Sequence, residues 1–435
     1  MADAPPASAM TSITPHSFCR LAGCAVLLLA CGTVFAQTGD VAGVHDPAVI
    51  RDGEYYYLCS TGTGLPLRRS KDLMHWERCG QVFQEMPASV RASVPEAKDL
   101  WAPDLSHIAG RFHLYYSASV FGKNKSCIAL ATSATLDPTS PQYGWRDEGV
   151  VLETRPGRDD FNAIDAHLAF DQQGQPWLAF GSAWSGIKLC RIDPRTGKRP
   201  AGDSSLHSLA SRNGKIVEAP FIVHRGGYYY LFVSFDQCCR GVESTYRTLV
   251  GRSREITGPY VDRLGRSLME GGGTPVISSH DHVRGPGHNA VVTHAGRDYL
   301  VHHFYDARAQ GRRTLQIRPL LWAPDGWPLP GEPGVVLPPA DARAELRPAD
   351  VAGKWLHSAG FRDSREIELL GGGHIDREDA RARWRLDGTR LTLSWPKKGS
   401  RESWTDACIL SPDGQWYVGR NQNDELIRGR RAGKM

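Results

Sequence analysis

The sequence predicts an all-β chain: a five-bladed β-propeller followed by a small antiparallel β-barrel. Three observations lead there. A strand–turn–strand unit recurs five times before residue 335. A content of 46 Gly, 28 Pro, 14 Tyr and 12 Trp suits turns and strands better than a helical bundle. Beyond Pro348 the unit gives way to short alternating strands with Asp-Gly turns. With 435 residues, 41% of them apolar and 23% charged, the chain can bury full cores without disulfide staples. The net charge of +5 is thinly spread, with no basic run, so nucleic acid is not an expected partner.

Residues 1–36 read as a signal peptide. Leu21 to Ala36 is apolar, follows Arg20 and is too short to span a bilayer comfortably. Val34-Phe35-Ala36 offers a small-residue cleavage site before Gln37. A secreted or periplasmic protein follows. Leu28-Leu29-Ala30-Cys31 also has the form of a lipoprotein processing site, so anchoring at Cys31 is the alternative. No other segment is expected to cross a membrane. Three of the ten cysteines fall in the leader, and the odd seven that remain make no disulfide framework. Cys238 and Cys239 are adjacent, either as a vicinal disulfide or as two thiols.

The propeller is assigned to residues 41–335, from the units in chain order. His45-Asp46-Pro-Ala-Val-Ile passes through Arg-Asp-Gly to Glu-Tyr-Tyr-Tyr-Leu. Ala102-Pro-Asp104-Leu-Ser-His-Ile passes through Ala-Gly to Arg-Phe-His-Leu-Tyr-Tyr. Ile164-Asp165-Ala-His-Leu-Ala-Phe, Val217-Glu218-Ala-Pro-Phe-Ile-Val and Gly287-His288-Asn-Ala-Val-Val open the other three. Each is a hairpin signature with room for two further strands, as in Ala129-Leu-Ala-Thr-Ser. The chain termini are expected to meet in one blade. Gly331 to Pro348 reads as a Pro/Ala-rich linker, and 345–435 as the barrel. The Trp residues of the barrel are either core or sugar-binding.

The units align a polar residue at each first strand: Asp46, Asp104, Asp165, Glu218 and His288. First strands line a propeller's channel, so these residues are expected to converge at one end of the axis. A ring of carboxylates is unfavourable without compensation, which argues for chemistry. Asp104 is the member that a purely structural role suits best. Two carboxylates facing a groove are the minimum for glycoside hydrolysis, one protonated and one ionised. Glu218, longer and set among Val217, Ala219, Pro220 and Phe221, suits the acid. Asp46 suits the base. His288 is either a neutral metal ligand or a hydrogen-bond donor, and calcium would fit a carboxylate-rich channel. Trp101 and Trp184 are either sugar platforms or core.

These motifs resemble glycoside hydrolase family 43. The residues that carry the likeness are His45-Asp46-Pro, Leu100-Trp-Ala-Pro-Asp104, Phe161-Asn-Ala-Ile-Asp165, Gly181-Ser-Ala-Trp184, Val217-Glu218-Ala-Pro, Phe235-Asp-Gln-Cys-Cys-Arg-Gly and Gly285-Pro-Gly-His288-Asn. Within the family they are most similar to endo-α-1,5-L-arabinanases, and the tail resembles the lipocalin-like C-terminal domain of some of them. The resemblance implies an inverting mechanism with Asp46 as base, Glu218 as acid, and Asp165 tuning the acid and orienting substrate. It implies that His288 helps to hold calcium through waters. It implies arabinose contacts from Asn162, Ala163, Ile164, Asp165, Ser182, Ala183 and Trp184, and Asp46 and Trp101 are expected to join them at the substrate. Ala129 stands where the pattern expects Gly, and its methyl would narrow a subsite. The expected substrate is arabinan, a pectin side chain, and the expected enzyme a monomer. Exo-acting arabinanase, arabinofuranosidase, β-xylosidase and a non-catalytic sugar-binding propeller remain the alternatives.

Overall fold

Each of the five units folds into one sheet of consecutive antiparallel strands, innermost first. The computed structural model describes residues 37–340, 346–377, 380–397 and 399–433, so the leader reading lies outside it. Blade 1 runs Ala48–Asp52, Tyr55–Cys59, Pro66–Ser70, His75–Gln81; blade 2 runs Trp101–Ile108, Arg111–Ser119, Ser126–Ser133, Arg146–Thr154. Blade 3 comprises His167–Phe170, Pro176–Phe180, Ile187–Arg191 and His207–Ala210. Blade 4 comprises Gly214–Arg225, Tyr228–Phe235, Arg247–Ser253 and Thr274–Ile277, with Ser182–Trp184 added on its inner edge. Blade 5 comprises Val283–His294, Arg297–Asp306, Arg312–Trp322 and Pro328–Pro330.

The aromatic runs that mark the second strands follow from how blades pack. Successive side chains of a strand face opposite ways, and here each face meets a different neighbouring blade. Tyr116 joins the core between blades 1 and 2, whereas Tyr115 joins that between blades 2 and 3. Tyr229 and Tyr230 divide in the same way between blade 3 and blade 5. A second strand is thus buried on both faces, and reads as a continuous apolar stretch rather than an alternation. The ring closes where Tyr56, Leu58 and Trp76 of blade 1 pack on Val301, Leu315 and Ile317 of blade 5.

Closure differs from the expectation. The chain ends do not share a blade. Residues 37–43 act as a stitch: Thr38–Gly39 pairs with the outer strand of blade 1, while Gly43 N donates to Arg313 O and Leu315 N to Val41 O of the same segment. The linker also departs from a free connector. Gly331 and Gly334 donate to Pro319 and Ile317 of blade 5, and Leu337 N donates to the Tyr299 hydroxyl.

Eight strands from Gly353–Ala359 to Leu426–Arg431 close into a barrel, the last pairing with the first. Trp355, Trp384 and Tyr417 fill its interior with Ile367, Leu391 and Leu393. Its outer face docks on the propeller. Trp416, Val418 and Leu426 pack on Leu329, and Arg420 Nη2 donates to Pro275 O at 2.6 Å. Residue 331 must be glycine, because a Cβ there would stand 2.5 Å from the Trp416 ring.

Candidate active site

The inner strand of every blade carries the same irregularity. One residue adopts the left-handed region: Asp46 (φ 51°), Ala102 (42°), Asp165 (58°), Ala219 (53°) and His288 (49°). In blades 2, 4 and 5 the pairing register shifts across this point, as at a β-bulge. Such backbone costs about 1–3 kcal/mol per non-glycine residue, so its fivefold recurrence needs compensation. Hydrogen bonds from one blade to the next supply it. Ala102 N donates to Thr61 Oγ1 (2.7 Å), Asp165 N to Ser117 Oγ (3.0 Å), Ala219 N to Asp165 Oδ2 (3.2 Å) and His288 N to Ser234 Oγ (2.9 Å). Asp46 N donates to His303 Nδ1 (3.2 Å). Each acceptor belongs to the preceding blade, so the five bonds form a closed circuit.

This geometry corrects the alignment of the repeats. The equivalent positions are Asp46, Ala102, Asp165, Ala219 and His288. Glu218 lies one residue before its bulge, and Asp104 two residues after. Asp104 does not join the acidic cluster. Its carboxylate pairs with His167 Nδ1 (2.9 Å) and accepts from Leu168 N (3.0 Å), tying blade 2 to blade 3. Aligning acid with acid concealed the extra residue of the bulge.

Asp46 is surrounded by imidazoles. His45 Nδ1 lies 2.8 Å from its Oδ2 and His288 Nδ1 3.2 Å from its Oδ1, and Thr61 Oγ1 donates to Oδ2. Burial opposes its charge, but the positive charges of His45 and His288 and their hydrogen bonds hold the carboxyl well below the ordinary 3.8. Burial likewise opposes charge on both histidines. Asp46 outweighs it, lifting His45 to about 9 and His288 to about 8. His303 differs: burial and the charge of His45 push it well below 6.5, and its Nδ1 is engaged as an acceptor. His45, Asp46 and His303 bring ligand atoms within 4.8 Å of one another. With His303 Nδ1 already taken, they fit a hydrogen-bonded cluster better than a metal cage.

Glu218 and Asp165 have the opposite environment. Burial pushes Glu218 above 4.5, against hydrogen bonds from Ser182 and Tyr246 that favour its carboxylate. Ser182 Oγ lies 2.6 Å from Glu218 Oε2. Burial also pushes Asp165 well above 3.8, aided by the charges of Glu218 and Asp46 and opposed by that of His288. One carboxylate is thus held ionised beside two biased toward protonation, the division of labour that acid–base chemistry needs.

The other expected residues divide. Ser182, Ala183 and Trp184 form a short strand beside Glu218, with Ala183 and Trp184 left-handed and Trp184 half-buried. Trp101 occupies the position in blade 2 that Glu218 holds in blade 4, and meets the exposed Phe121 edge-on at 6.4 Å. Ile164 precedes Asp165 and is buried. Asn162 Oδ1 accepts from Ser126 Oγ at 2.6 Å, and Ala163 is fully buried with its amide on Thr154. Ala129 is not brought to the cluster. It lies fully buried on the third strand of blade 2, in the core shared with blade 1. Cys238 and Cys239 are free thiols, with sulfurs 2.9 Å apart and Cys239 Sγ 3.9 Å from His45 Nε2.

Sequence reasoning missed Tyr246, His45, His303 and the Ser/Thr acceptors as working parts of the site. Tyr246 comes from the third strand of blade 4, outside the repeated hairpin. The available signal was Gly287, where a Cβ would stand 2.2 Å from the Tyr246 ring. For His303, a paired His302-His303 in an otherwise apolar strand was the clue.

The profile of Glycosyl hydrolases family 43 matches residues 41–328, the propeller that holds these carboxylates. The chain belongs to that family. Among its relatives, this family 43 glycosidase is 44% identical over 292 residues to an extracellular endo-α-(1→5)-L-arabinanase of Bacillus subtilis, covering 66% of this chain and 87% of the relative. It is 41% identical over 325 residues to an extracellular exo-α-(1→5)-L-arabinofuranosidase of Cellvibrio japonicus, covering 72% and 92%. An α-L-arabinanase of Cellvibrio cellulosa solved with arabinohexaose superposes with a TM-score of 0.64 at 41% identity, over 67% of this chain and 96% of that one. An endo-1,5-α-L-arabinanase structure from Thermotoga petrophila spans 91% of this chain and 100% of its own at a TM-score of 0.77; at 22% identity it shares the fold. Among the described residues no helix is long and apolar enough to cross a membrane.

Proposed function

We propose that this glycosidase cleaves internal α-1,5-L-arabinofuranosidic bonds of arabinan by inversion. The observation that carries the reading is the opposite bias of Asp46 and Glu218 within one cluster of interacting carboxyls at the heads of the blades. Glu218, protonated, donates to the leaving oxygen, while Asp46, ionised, takes a proton from the attacking water. Asp165 holds substrate hydroxyls and tunes the acid, because Asp165 and Glu218 together resist carrying two negative charges and a proton stays on the pair. The half-buried Trp101 and Trp184 give the sugar rings apolar faces. Both endo- and exo-acting relatives share about the same identity, so mode of action is the part that needs measurement. Linear arabinan and xylan, with products resolved by size and anomer, test the reading. Early long arabino-oligomers of inverted configuration support it. A single short product from the outset makes the enzyme exo-acting, and activity confined to xylan removes arabinan altogether.

We also assign calcium to His288. Its Nδ1 faces Asp46, and on binding an ion the ring would give up its Nε2 proton, so that Nε2 is the ligand and waters complete the shell. The neighbouring Asn289 fits this environment: it is buried with neither amide atom partnered among the described residues, as beside ordered water or a hydrated ion. Bound there, the ion would supply fixed positive charge near three carboxylates. Exhaustive chelation should lower Tm and activity, and calcium should restore both. Unchanged values after chelation reject the ion.

An exported enzyme suits a polymeric substrate, and the two relatives described above are both called extracellular. Mass spectrometry of the mature N-terminus separates cleavage before Gln37 from a lipidated Cys31.

A further inference from the structure

The barrel holds a cavity that the hydrolytic site does not use. Its volume is about 530 Å³, the size of a small-molecule site. Trp395 and Trp404 stand opposite each other on neighbouring strands at its wall. Trp404 is 39% exposed although Lys397 Nζ lies 4.4 Å from the centre of its ring. At the same wall Asp406 is 3% exposed. The Trp395 indole donates to its Oδ2 at 2.6 Å, and no side chain among the described residues donates to Oδ1. Asp406 thus borders the cavity beside the exposed Trp404 indole, an acceptor next to an apolar face.

A second cavity, of about 470 Å³, lies between blade 4 and the barrel. Asn423 and Glu425 line both. Its propeller side is formed by Phe235, Arg247 and Thr248, and Phe235 directly follows Ser234, whose hydroxyl holds His288 in the catalytic circuit. Two cavities that share Asn423 and Glu425 in their walls suit an extended chain rather than a compact ligand. The lining also says what kind of chain. At the barrel mouth Arg362 and Arg365 are balanced by Asp363, Asp406 and Glu425, and in the second cavity Arg212 and Arg247 are paired with Asp236 and Arg266 with Asp262, which leaves no free positive patch for an acidic polymer. Aromatic faces with carboxylate and amide groups suit hydroxyls on apolar rings.

We propose that the barrel mouth is a second binding site for a neutral polysaccharide chain, the same arabinan that the propeller cuts. The identity of the chain rests on the function proposed above, while the existence of the site rests on the barrel alone. Trp404 supplies the exposed face and Asp406 the buried acceptor, and the shared Asn423 and Glu425 carry the chain on into the second cavity.

The test is affinity electrophoresis of the full chain in a Glu218→Gln background, in gels cast with arabinan, polygalacturonate or no polymer, together with kinetics of the active enzyme. Trp404→Ala should raise the apparent dissociation constant for arabinan about tenfold and the KM on polymer several-fold. It should leave kcat/KM on an arabinotriose substrate within twofold, and Trp404→Phe should restore most of the retention. Asp406→Asn, which keeps shape, should weaken retention in the same direction and replaces Trp404→Ala if that variant fails to fold. Equal retention and KM in the variants, or retention by polygalacturonate alone, would overturn the site. If the active enzyme leaves arabinan intact, the catalytic reading fails, yet Trp404-dependent retention in the gels still decides the barrel.

Discussion

The two sides of the carboxylate cluster are both largely shielded from solvent but electrostatically opposite. On the bank of blades 1 and 5, Asp46 meets His45 and His288 and stays ionised. On the bank of blades 3 and 4, Glu218 and Asp165 meet each other and the hydroxyls of Ser182 and Tyr246, and are pushed toward the neutral form. Burial alone acts the same way on all three carboxyls. The difference is the company each keeps, and it gives the proposed base and acid the opposite biases they require.

The contrast can be broken at either bank. Glu218→Gln and Asp46→Asn are expected to cost the most, about 10²–10⁴-fold in kcat. Activity within a few-fold of wild type in either would remove that residue from the chemistry. His45→Gln should come next. As the proposed base Asp46 must act as the anion, so activity should fall as pH drops through its depressed pKa. Removing the His45 charge raises that pKa, and the acid limb of kcat/KM should move up by about one unit. An acid limb that stays in place would mean His45 is only structural. Ser182→Ala should act on the other bank with a smaller effect. Losing a donor to the Glu218 carboxylate raises its pKa further, so the basic limb should move up by about half a unit. A downward shift would show that Ser182 stabilises the protonated acid instead.

The smallest effect concerns stability. Asp165 has a raised folded-state pKa, so its cost to the fold is absent below the unfolded value near 3.8 and grows as pH rises toward the folded one. Asp165→Asn should therefore raise Tm by about 1–3 °C at pH 7 and leave it unchanged at pH 3.5, while lowering activity. A Tm gain that persists at pH 3.5 would point to packing rather than charge.

The sequence made the blades legible because each second strand is buried twice. Runs such as Tyr55-Tyr56-Tyr57 and Tyr228-Tyr229-Tyr230 expose the period of the fold directly. Asp46, Asp165, Glu218 and His288 were legible for the same reason, since each sits at the head of such a unit. Asp104 shows the limit. Its place in the repeat looked equivalent, but one bulge residue moves a side chain from the cleft to an inter-blade tie, and alanine at position 102 gives no sign of a left-handed backbone. Tyr246 and the acceptors Thr61, Ser117 and Ser234 were illegible for another reason. Their role comes from the next blade in space, which no spacing along the chain encodes. Ala129 was placed by resemblance alone, and the packing of blade 2 sets it in the core.

The circuit of amide bonds has a consequence for the order of assembly. The first blade to leave the ribosome carries Asp46 and His45, yet the imidazole that accepts the Asp46 amide and the second one that pairs with its carboxylate both arrive with the fifth. A chain interrupted before Val283–His294 would hold the base, the acid and Asp165 but lack the hoop that fixes their relative positions. The arrangement of these carboxyls is therefore expected to form only once the whole propeller is complete.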